Sequence, residues 1–176
     1  MPLFYSQKDK SAMKQITFRT DILPMKDKLY RLALRITMTT ADAEDVVQET
    51  LIRIWKKRDY WNQIESLEAW ALTITRNLSL DYVRRNNNHA TVPLEVDVPV
   101  NDYDRLQESQ KIQFVKKLME SLPEKQRTAM QLRDFEEKTY KEIAEIMEIS
   151  EEQVKVSIFR ARQFIKLKYT QLYKDA

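Results

Sequence analysis

The stretch TYKEIAEIMEISEEQVKVSIFRARQFIK, which runs from Thr139 to Lys166, contains two helical patterns separated by a very short turn. Thr139 and Glu142 have the spacing of a capping box, in which two side chains three residues apart each satisfy a free backbone amide at a helix start. Ser150 and Gln153 have the same spacing, eleven residues further along the chain. Two helix starts this close together predict a helix-turn-helix.

The turn of this motif lacks the glycine that usually allows so sharp a reversal, since Glu148 stands there and the chain of 176 residues contains no glycine. The two caps leave room for a short helix from Tyr140 to Met147, after which we expect Glu148 to be left-handed. That conformation costs about 1–2 kcal/mol for a residue with a Cβ atom. Burying one side chain such as Ile143 or Ile146 contributes about 1.5–3 kcal/mol, which is enough to offset it.

The second helix of the motif sorts its side chains into two faces. The apolar positions predicted to point inward are Val154, Ile158, Ala161 and Ile165. The positions predicted to point outward are Lys155, Val156, Phe159, Arg160 and Gln163. Cations near a helix C-terminus complement its dipole, which accounts for Lys166 and Lys168 but not for Lys155 or an exposed Phe159. The outward face is therefore predicted to enter the major groove of DNA.

The composition excludes several classes of function. Without glycine the chain cannot form a Walker loop or a dinucleotide-binding turn, and without cysteine it has no disulfide and no thiolate zinc site. The single histidine, His89, is expected to be a solvated loop residue. We find no catalytic constellation, and we expect no metal, no cofactor and no small-molecule substrate. No apolar run has the length of a membrane span or a signal-peptide core, so a cytoplasmic location is expected.

The net charge of +3 is mild, so a nucleic-acid partner must be argued from where the charges lie. The patterns along the chain predict an all-α fold of two small helical domains. The predicted divisions are a leader (1–20), a first helical domain (21–88), a linker (89–111) and a second helical domain with the helix-turn-helix (112–176). In the first domain, Ser66 is the expected N-cap of the third helix. The chain starts either at Met1 or at Met13.

The linker is acidic. HATVPLEVDVPVNDYD, from His89 to Asp104, contains two prolines, no helical period, four acids and no lysine or arginine. A solvated tether is one reading of this composition.

Three stretches resemble the sigma-seventy family of bacterial RNA polymerase sigma factors. DAEDVVQETLIRIWKK, Asp42 to Lys57, resembles the helix that binds core polymerase, and EAWALTITRNLSLDYVRR, Glu68 to Arg85, resembles the helix for the −10 promoter element. LPEKQRTAMQLRDFEEKTYKEIAEIMEIS, Leu122 to Ser150, resembles the start of the domain that reads the −35 element. The short two-domain form resembles the extracytoplasmic-function (ECF) group, and PMKDKLYRLALRIT and WNQIESLEAW resemble its Bacteroidetes members.

The resemblance implies that the clamp coiled coil of core polymerase binds one face of the second helix. The residues implied are Asp45, Gln48, Glu49 and Ile52. Acids in a first helical turn also complement the helix dipole, and this alternative partly accounts for Asp42 and Glu44.

The resemblance also implies a −10 site on the third helix and the loop before it. The residues implied are Tyr60, Trp61, Asn62, Thr73, Arg76, Asn77 and Arg84, with the polar helix positions expected opposite the core. Aromatic and amide side chains suit an unstacked base, although Trp61 is equally suited to anchoring the core and Asn77 to a local hydrogen bond. For the acidic linker, the resemblance implies a second interpretation, in which it threads the positively charged active-site and RNA-exit channel of the polymerase.

Promoter DNA, core RNA polymerase and an anti-sigma factor, possibly membrane-anchored, are the partners that the resemblance implies. The sequence departs from the family at Glu148, which replaces a glycine, and at Val156 and Ser157, where a Ser-Arg pair is common. Two other functions stay open at this stage. One is a helix-turn-helix regulator that does not bind polymerase, against which the acidic second helix argues, and the other is a nucleic-acid enzyme of unrecognised type.

Overall fold

Apolar residues at three- and four-residue steps build the first three helices. The computed structural model describes residues 15–86 and 108–174. Its first helices are α1 (Lys26–Thr37), α2 (Thr40–Lys56) and α3 (Leu67–Asn86), and each packs against the other two. A short π-helical turn (Phe18–Ile22) and a 3-10 turn (Leu23–Met25) precede them. The apolar residues at these steps in the first helical segment are all buried: Ile22, Met25, Leu29, Leu32, Ala33 and Ile36.

Side-chain caps fix the starts of two of these helices. The backbone N–H of Asp42 donates to Thr39 Oγ1 at 3.2 Å at the start of α2. The N–H of Ala69 donates to Ser66 Oγ at 3.2 Å, so the cap predicted at Ser66 is confirmed. A 3-10 helix, Arg58–Gln63, connects α2 to α3.

The second half of the described chain holds four more helices. They are α4 (Glu108–Glu120), α5 (Glu124–Met130), α6 (Tyr140–Met147) and α7 (Glu151–Lys174). A π-helical turn, Gln131–Phe135, extends α5 toward the helix-turn-helix. Helix α4 begins inside the predicted linker, whose residues 89–107, with His89 among them, lie outside the described residues.

Left-handed residues take the role of glycine in this glycine-free chain. Glu148, between α6 and α7, has φ 56° and ψ 44°, which confirms the left-handed turn expected there. Met38, which caps the C-terminus of α1, and Glu137 are also left-handed, with φ of 64° and 57°. Each carries a Cβ atom, so each stores local strain that the surrounding packing offsets.

The two halves pack against each other. Helix α3 lies against α6 and α1 lies against α5. Buried apolar side chains of both halves belong to one continuous cluster, in which Leu72 and Leu78 of α3 join Ile143 and Ile146 of α6. A second cluster, around Phe114 and residues of α7, lies within the second half. The sequence predicts two domains joined by a tether. It does not predict that the two domains pack against each other.

Candidate functional surfaces

The helix-turn-helix is held by two reciprocal caps. The N–H of Glu142 donates to Thr139 Oγ1 at 3.2 Å, and the N–H of Thr139 donates to Glu142 Oε2 at 2.8 Å. The N–H of Gln153 donates to Ser150 Oγ at 3.2 Å, and the N–H of Ser150 donates to Gln153 Oε1 at 3.0 Å. Both predicted capping boxes are therefore confirmed. Burial opposes ionisation of Glu142, but the hydrogen bonds from Thr139 outweigh it and the pKa of this carboxyl is lowered.

Helix α7 carries an open face of mixed cationic and apolar character. Val154, Ile158, Ala161 and Ile165 are buried, as predicted. The five outward positions are all exposed: Lys155, Val156, Phe159, Arg160 and Gln163. Phe159 is 63% exposed, which no packing role explains. Beside this face, the exposed Arg162 of α7 forms an ion pair with Asp134 of the preceding π-helical turn.

Helix α2 carries a second open face, acidic at one end and apolar at the other. Asp45 and Gln48 are exposed and Ile52 is 53% exposed. Glu49 is half-buried, and its Oε1 accepts a hydrogen bond from Arg53 at 2.6 Å. The acids of this face also act on Tyr82. Burial is the main cause that raises the pKa of Tyr82, and the negative charges of Asp45 and Glu49 raise it further.

An aromatic cluster supports the loop between α2 and α3. The Trp61 indole is 5% exposed, and its N–H donates to the Ile54 carbonyl at 3.0 Å. Its ring lies 6.5 Å from Phe18 and 6.2 Å from Trp55. Of the two roles left open for Trp61, the structure places it as a core anchor. Tyr60 and Asn62, on either side, are exposed.

Trp55 of α2 lies at the outer side of this aromatic cluster and is not part of the buried core. It is 49% exposed and packs edge-on against Phe18, with the ring centroids 5.5 Å apart. Phe18 lies in the stretch that the sequence predicts to be a leader. Arg58 covers the Trp55 ring at 5.2 Å.

Helix α3 presents only part of its predicted polar face. Asn77 and Arg84 are exposed, but Thr73 is 6% and Arg76 is 8% exposed. The expected outward position of Thr73 and Arg76 is wrong for this conformation, in which α6 packs against α3. Thr73 donates its hydroxyl to the Ala69 carbonyl at 2.9 Å. Desolvation lowers the pKa of Arg76, and the charges of Glu124 and Glu148 oppose that shift.

Two further absences concern the described residues alone. Across residues 15–86 and 108–174, no three acids or histidines come together as a metal ion would require. Within the same ranges, no helix has the length and apolar character needed to cross a membrane.

Comparisons with known proteins agree on one family. The family model for sigma-70 region 2 matches residues 23–89, and the model for sigma-70 region 4 matches residues 115–165. These two models cover α1 to α3 and the helix-turn-helix, respectively.

Curated relatives include the ECF RNA polymerase sigma factor SigE of Mycolicibacterium smegmatis. It is 32% identical over 80% of this chain, and this chain spans 56% of its length. The ECF RNA polymerase sigma factor SigM of Bacillus subtilis is 29% identical over 84% of this chain and 91% of its own length.

Solved structures share the fold. The sigma factor RpoE from Bartonella quintana, determined in complex with the anti-sigma factor NepR, has a TM-score of 0.68 and 24% identity, over 89% of this chain and 96% of that one. CnrH, determined with the cytosolic domain of CnrY, has a TM-score of 0.61 and 18% identity, over 85% of both chains. Since regions 2 and 4 match in order and the relatives align along most of the sequence, this protein belongs to the ECF group of the sigma-70 family of RNA polymerase sigma factors.

Proposed function

We propose that this protein binds core RNA polymerase, recognises −10 and −35 promoter elements, and directs transcription initiation. One observation carries the proposal: a capped helix-turn-helix with an open cationic and aromatic face shares a chain with a separate helix whose open face is acidic and apolar. The first face suits DNA, and the second suits a basic protein surface. The protein itself catalyses no reaction in this proposal.

The α2 face is the proposed contact with the clamp coiled coil of the polymerase. Asp45, Gln48 and Glu49 would meet basic and polar side chains, and Ile52 would add apolar area. Glu49 is already paired with Arg53 within its own helix. Because exposed pairs of this kind contribute little, Glu49 can exchange that partner at small cost.

The α7 face is the proposed reader of the −35 element. Lys155 and Arg160 are exposed and can reach base edges or phosphates in the major groove, with Gln163 beside them. Val156 and Phe159 offer apolar contact to thymine methyl groups. The Nζ atom of Lys155 lies 6.0 Å from the Tyr140 ring centroid, which restricts where this cation can go.

The −10 element is assigned to α3 and the loop before it. Tyr60, Asn62, Asn77 and Arg84 are exposed and are the proposed direct contacts. Trp61 is proposed to hold this loop in place through its hydrogen bond to Ile54 rather than to stack on a base. Thr73 and Arg76 belong to the same proposed site, but they reach it only in a conformation other than the described one.

We also propose a partner, a cellular location and a subgroup for this protein. Similarity to the sigma factor RpoE, solved in complex with the anti-sigma factor NepR, supports an anti-sigma partner for this protein. The absence of a spanning helix among the described residues fits a cytoplasmic location. The two stretches quoted above, PMKDKLYRLALRIT and WNQIESLEAW, favour a Bacteroidetes-like subgroup.

Run-off transcription tests the proposal. Purified protein would be mixed with core RNA polymerase and fragments of its own genome, and the transcripts would be mapped. We expect discrete start sites that appear only when both proteins are present. A protein that binds DNA but neither retains core polymerase in a pull-down nor supports transcription would be a helix-turn-helix regulator instead. Release of a defined nucleic-acid product without polymerase would indicate an enzyme.

A further inference from the structure

A short turn before α1 packs against the loop that joins α2 to α3. This π-helical turn, Phe18–Ile22, begins with a half-buried phenylalanine and ends with an isoleucine that is completely buried in the core of the first domain. Phe18 packs against the same core. Because Ile22 anchors the turn, the position from which the Phe18 side chain leaves the backbone is fixed.

Hydrogen bonds within the turn also hold its shape. The backbone N–H of Thr17 donates to Asp21 Oδ2 at 2.9 Å, and the N–H of Thr20 donates to Thr17 Oγ1 at 3.3 Å. The Thr20 hydroxyl donates to the same oxygen of Asp21 at 2.7 Å. Side-chain caps of this kind satisfy backbone amides that a first helical turn leaves without partners. The turn therefore has a defined shape of its own, from which Phe18 is presented.

Phe18 forms one corner of a triangle of aromatic rings. Its ring centroid lies 5.5 Å from that of Trp55, in an edge-on arrangement, and 6.5 Å from that of Trp61, in a stacked arrangement. The two indoles lie 6.2 Å apart, so each ring contacts the other two. Aromatic pairs at such distances contribute more than the area that they bury. Removing the Phe18 ring would leave an opening beside both indoles.

The triangle includes the loop that is assigned to the −10 element. We call the 3-10 helix Arg58–Gln63 the −10 loop. Trp61 lies in this loop and is 5% exposed, whereas Tyr60 and Asn62 on either side are exposed. Its indole N–H donates to the Ile54 carbonyl of α2 at 3.0 Å. Since Tyr60 and Asn62 adjoin Trp61 in a short helix, the placement of their side chains depends on where this indole is held.

Two cations cover exposed rings of the same region. The guanidinium carbon of Arg58 lies 5.2 Å from the Trp55 ring centroid, and the Nζ atom of Lys57 lies 5.7 Å from the Tyr60 centroid. Exposed contacts of this kind are weak. Among the described residues, Phe18 is the only aromatic residue outside α2 and the −10 loop whose ring contacts their tryptophans. The support that the loop receives from the rest of the first domain through ring contacts therefore comes from Phe18.

We propose that Phe18 is a positioning residue for the −10 site. By holding Trp61 in place, it sets where Tyr60 and Asn62 meet the DNA strand, and it does not contact DNA itself. Side chains that recognise a ligand need support of this kind, because a small displacement loses their contacts. The inference rests on the proposed function for the meaning of the loop, whereas the effect of Phe18 on Trp61 does not depend on that function.

Four variants separate the aromatic contact from a general loss of packing. Phe18→Ala removes the ring, Phe18→Leu keeps apolar volume without a ring, and Phe18→Tyr keeps the ring. Tyr30→Ala is the matched control, because Tyr30 is a half-buried aromatic residue of α1 that packs against the same core. Circular dichroism confirms that each variant is folded, and Phe18→Leu serves in place of Phe18→Ala if the smaller side chain prevents folding.

The first measurement needs neither DNA nor polymerase. Hydrogen exchange of the Trp61 indole N–H is followed by NMR, and the signals of the three tryptophans are assigned by replacing each with phenylalanine. The backbone amide of Leu29, in the core of α1, reports opening of the whole domain. We expect Phe18→Ala and Phe18→Leu to speed exchange at Trp61 about tenfold relative to Leu29. Phe18→Tyr and Tyr30→Ala should leave this ratio unchanged.

The second measurement uses holoenzyme and a promoter mapped by run-off transcription. The −10 element is supplied already melted, and its bases are substituted one at a time. Tyr60→Ala and Asn62→Ala identify the base that the loop contacts. At that base, Phe18→Ala should reduce the preference for the cognate promoter about fivefold or more, which is the lower end of what one base on an aromatic side chain contributes. Phe18→Tyr and Tyr30→Ala should keep the preference, since a loss of stability alone weakens binding to cognate and substituted promoters alike.

The outcomes separate the inference from the proposed function. Unchanged exchange at Trp61 in the folded Phe18→Ala or Phe18→Leu variant would overturn the inference at its first step. Faster exchange together with an unchanged −10 preference would overturn the positioning role, and so would equal losses of preference from Phe18→Ala and Tyr30→Ala. Failure of the unaltered protein to form a transcribing holoenzyme would overturn the proposed function, and the exchange ratio would still decide whether Phe18 holds Trp61.

Discussion

Arg31 and Glu136 lie 105 positions apart in the sequence and meet in a two-pronged ion pair, with both hydrogen bonds at 2.8 Å. Arg31 remains partly exposed, whereas the Glu136 side chain is fully buried. The hydrogen bond, rather than burial, dominates the surroundings of Arg31 and raises its pKa. The pair therefore fixes α1 against the turn that leads into the helix-turn-helix, and it does so through a geometry that only arginine provides.

Arg31→Lys tests whether the two-pronged geometry matters. Lysine keeps the charge but cannot make both hydrogen bonds, so we expect a loss of about 1 kcal/mol in unfolding free energy. Urea denaturation followed by circular dichroism measures it. Arg84→Lys is the matched control, because Arg84 is exposed and its contact with Asp81 is a single bond of 3.4 Å. Equal effects of the two substitutions would contradict a special role for the Arg31 fork.

Acid should weaken the docking through Glu68. Burial raises the pKa of this carboxyl, but the hydrogen bonds and charges of Lys138 and Lys28 outweigh it, so its pKa lies below the ordinary value of 4.5. The pKa of Glu142, which also faces Lys138, is lowered as well. A carboxyl with a lowered pKa contributes stability that is complete above its unfolded value and is lost as the pH falls through the folded value.

Glu68→Gln isolates this contribution. We expect the difference in unfolding free energy between the unaltered protein and Glu68→Gln to be constant from neutral pH down to about pH 5 and to shrink at lower pH. Chemical denaturation at a series of pH values measures it. A difference that grows as the pH falls below 4.5 would mean that the sign of the shift is wrong.

The helix-turn-helix could be predicted from the sequence because its determinants are local. Each cap joins residues three positions apart. The two caps together leave Glu148 as the turn residue between the helices, which predicts its left-handed conformation. The two open faces on α2 and α7 were predictable for the same reason, since helical spacing alone separates their exposed and buried positions.

The docking of the domains could not be predicted in this way. Charged residues such as Arg31, Glu136 and Lys138 usually lie in water. The neighbouring sequence does not distinguish a charged residue that pairs with another 105 positions away from one that is solvated. The spacing along α3 predicts an open face for Arg76, because nothing in that spacing shows that α6 packs against this face. The role of Trp61, which the sequence left open, has a similar cause, since its indole stacks on Phe18 from the stretch predicted to be a leader.

The polymerase contact on α2 is tested by reversing charge at matched positions. Asp45→Lys together with Glu49→Lys should weaken holoenzyme assembly at least tenfold, because two attractive contacts with a basic surface become repulsive. Glu44→Lys is the single-site control on the same helix, to be compared with Asp45→Lys alone, because Glu44 is exposed and is explained by the helix dipole. Assembly is measured by fluorescence anisotropy with core polymerase. Normal assembly by the folded double variant, or equal losses from the two single variants, would remove the assignment.

Met38 offers a test of the strain in a glycine-free chain. It is left-handed at the end of α1, with φ 64° and ψ 6°. Met38→Gly removes the steric cost of about 1–2 kcal/mol but adds freedom to the unfolded chain, worth about 0.5–1 kcal/mol. Met38→Ala loses the same side chain while keeping the Cβ atom. We expect the glycine variant to be more stable than the alanine variant by about 1 kcal/mol in urea denaturation. A glycine variant that is less stable than the alanine variant by about 0.5–1 kcal/mol, the entropic cost alone, would show that no strain is stored there.

The final prediction concerns how α7 reads the −35 element. Arg160 and Lys155 are both exposed on the open face, and a side chain that pairs with a base edge discriminates by about 1–3 kcal/mol, whereas a phosphate contact weakens binding to every sequence alike. The start sites mapped by run-off transcription supply the cognate element, and a scrambled duplex of the same composition supplies the comparison.

We expect Arg160→Ala or Lys155→Ala to reduce the preference for the cognate duplex by about fivefold or more, which is the lower end of that range. Lys166→Ala removes an exposed cation from the C-terminal half of α7 and should weaken both duplexes equally, because the N-terminal residues of a recognition helix contact the base edges. Anisotropy titrations at two salt concentrations separate the two kinds of contact, since loss of a phosphate contact lowers the salt dependence of binding. If both alanine variants cost the same affinity on the cognate and scrambled duplexes, these two residues position the helix without reading bases, and recognition would have to come from Gln163, Phe159 or Val156.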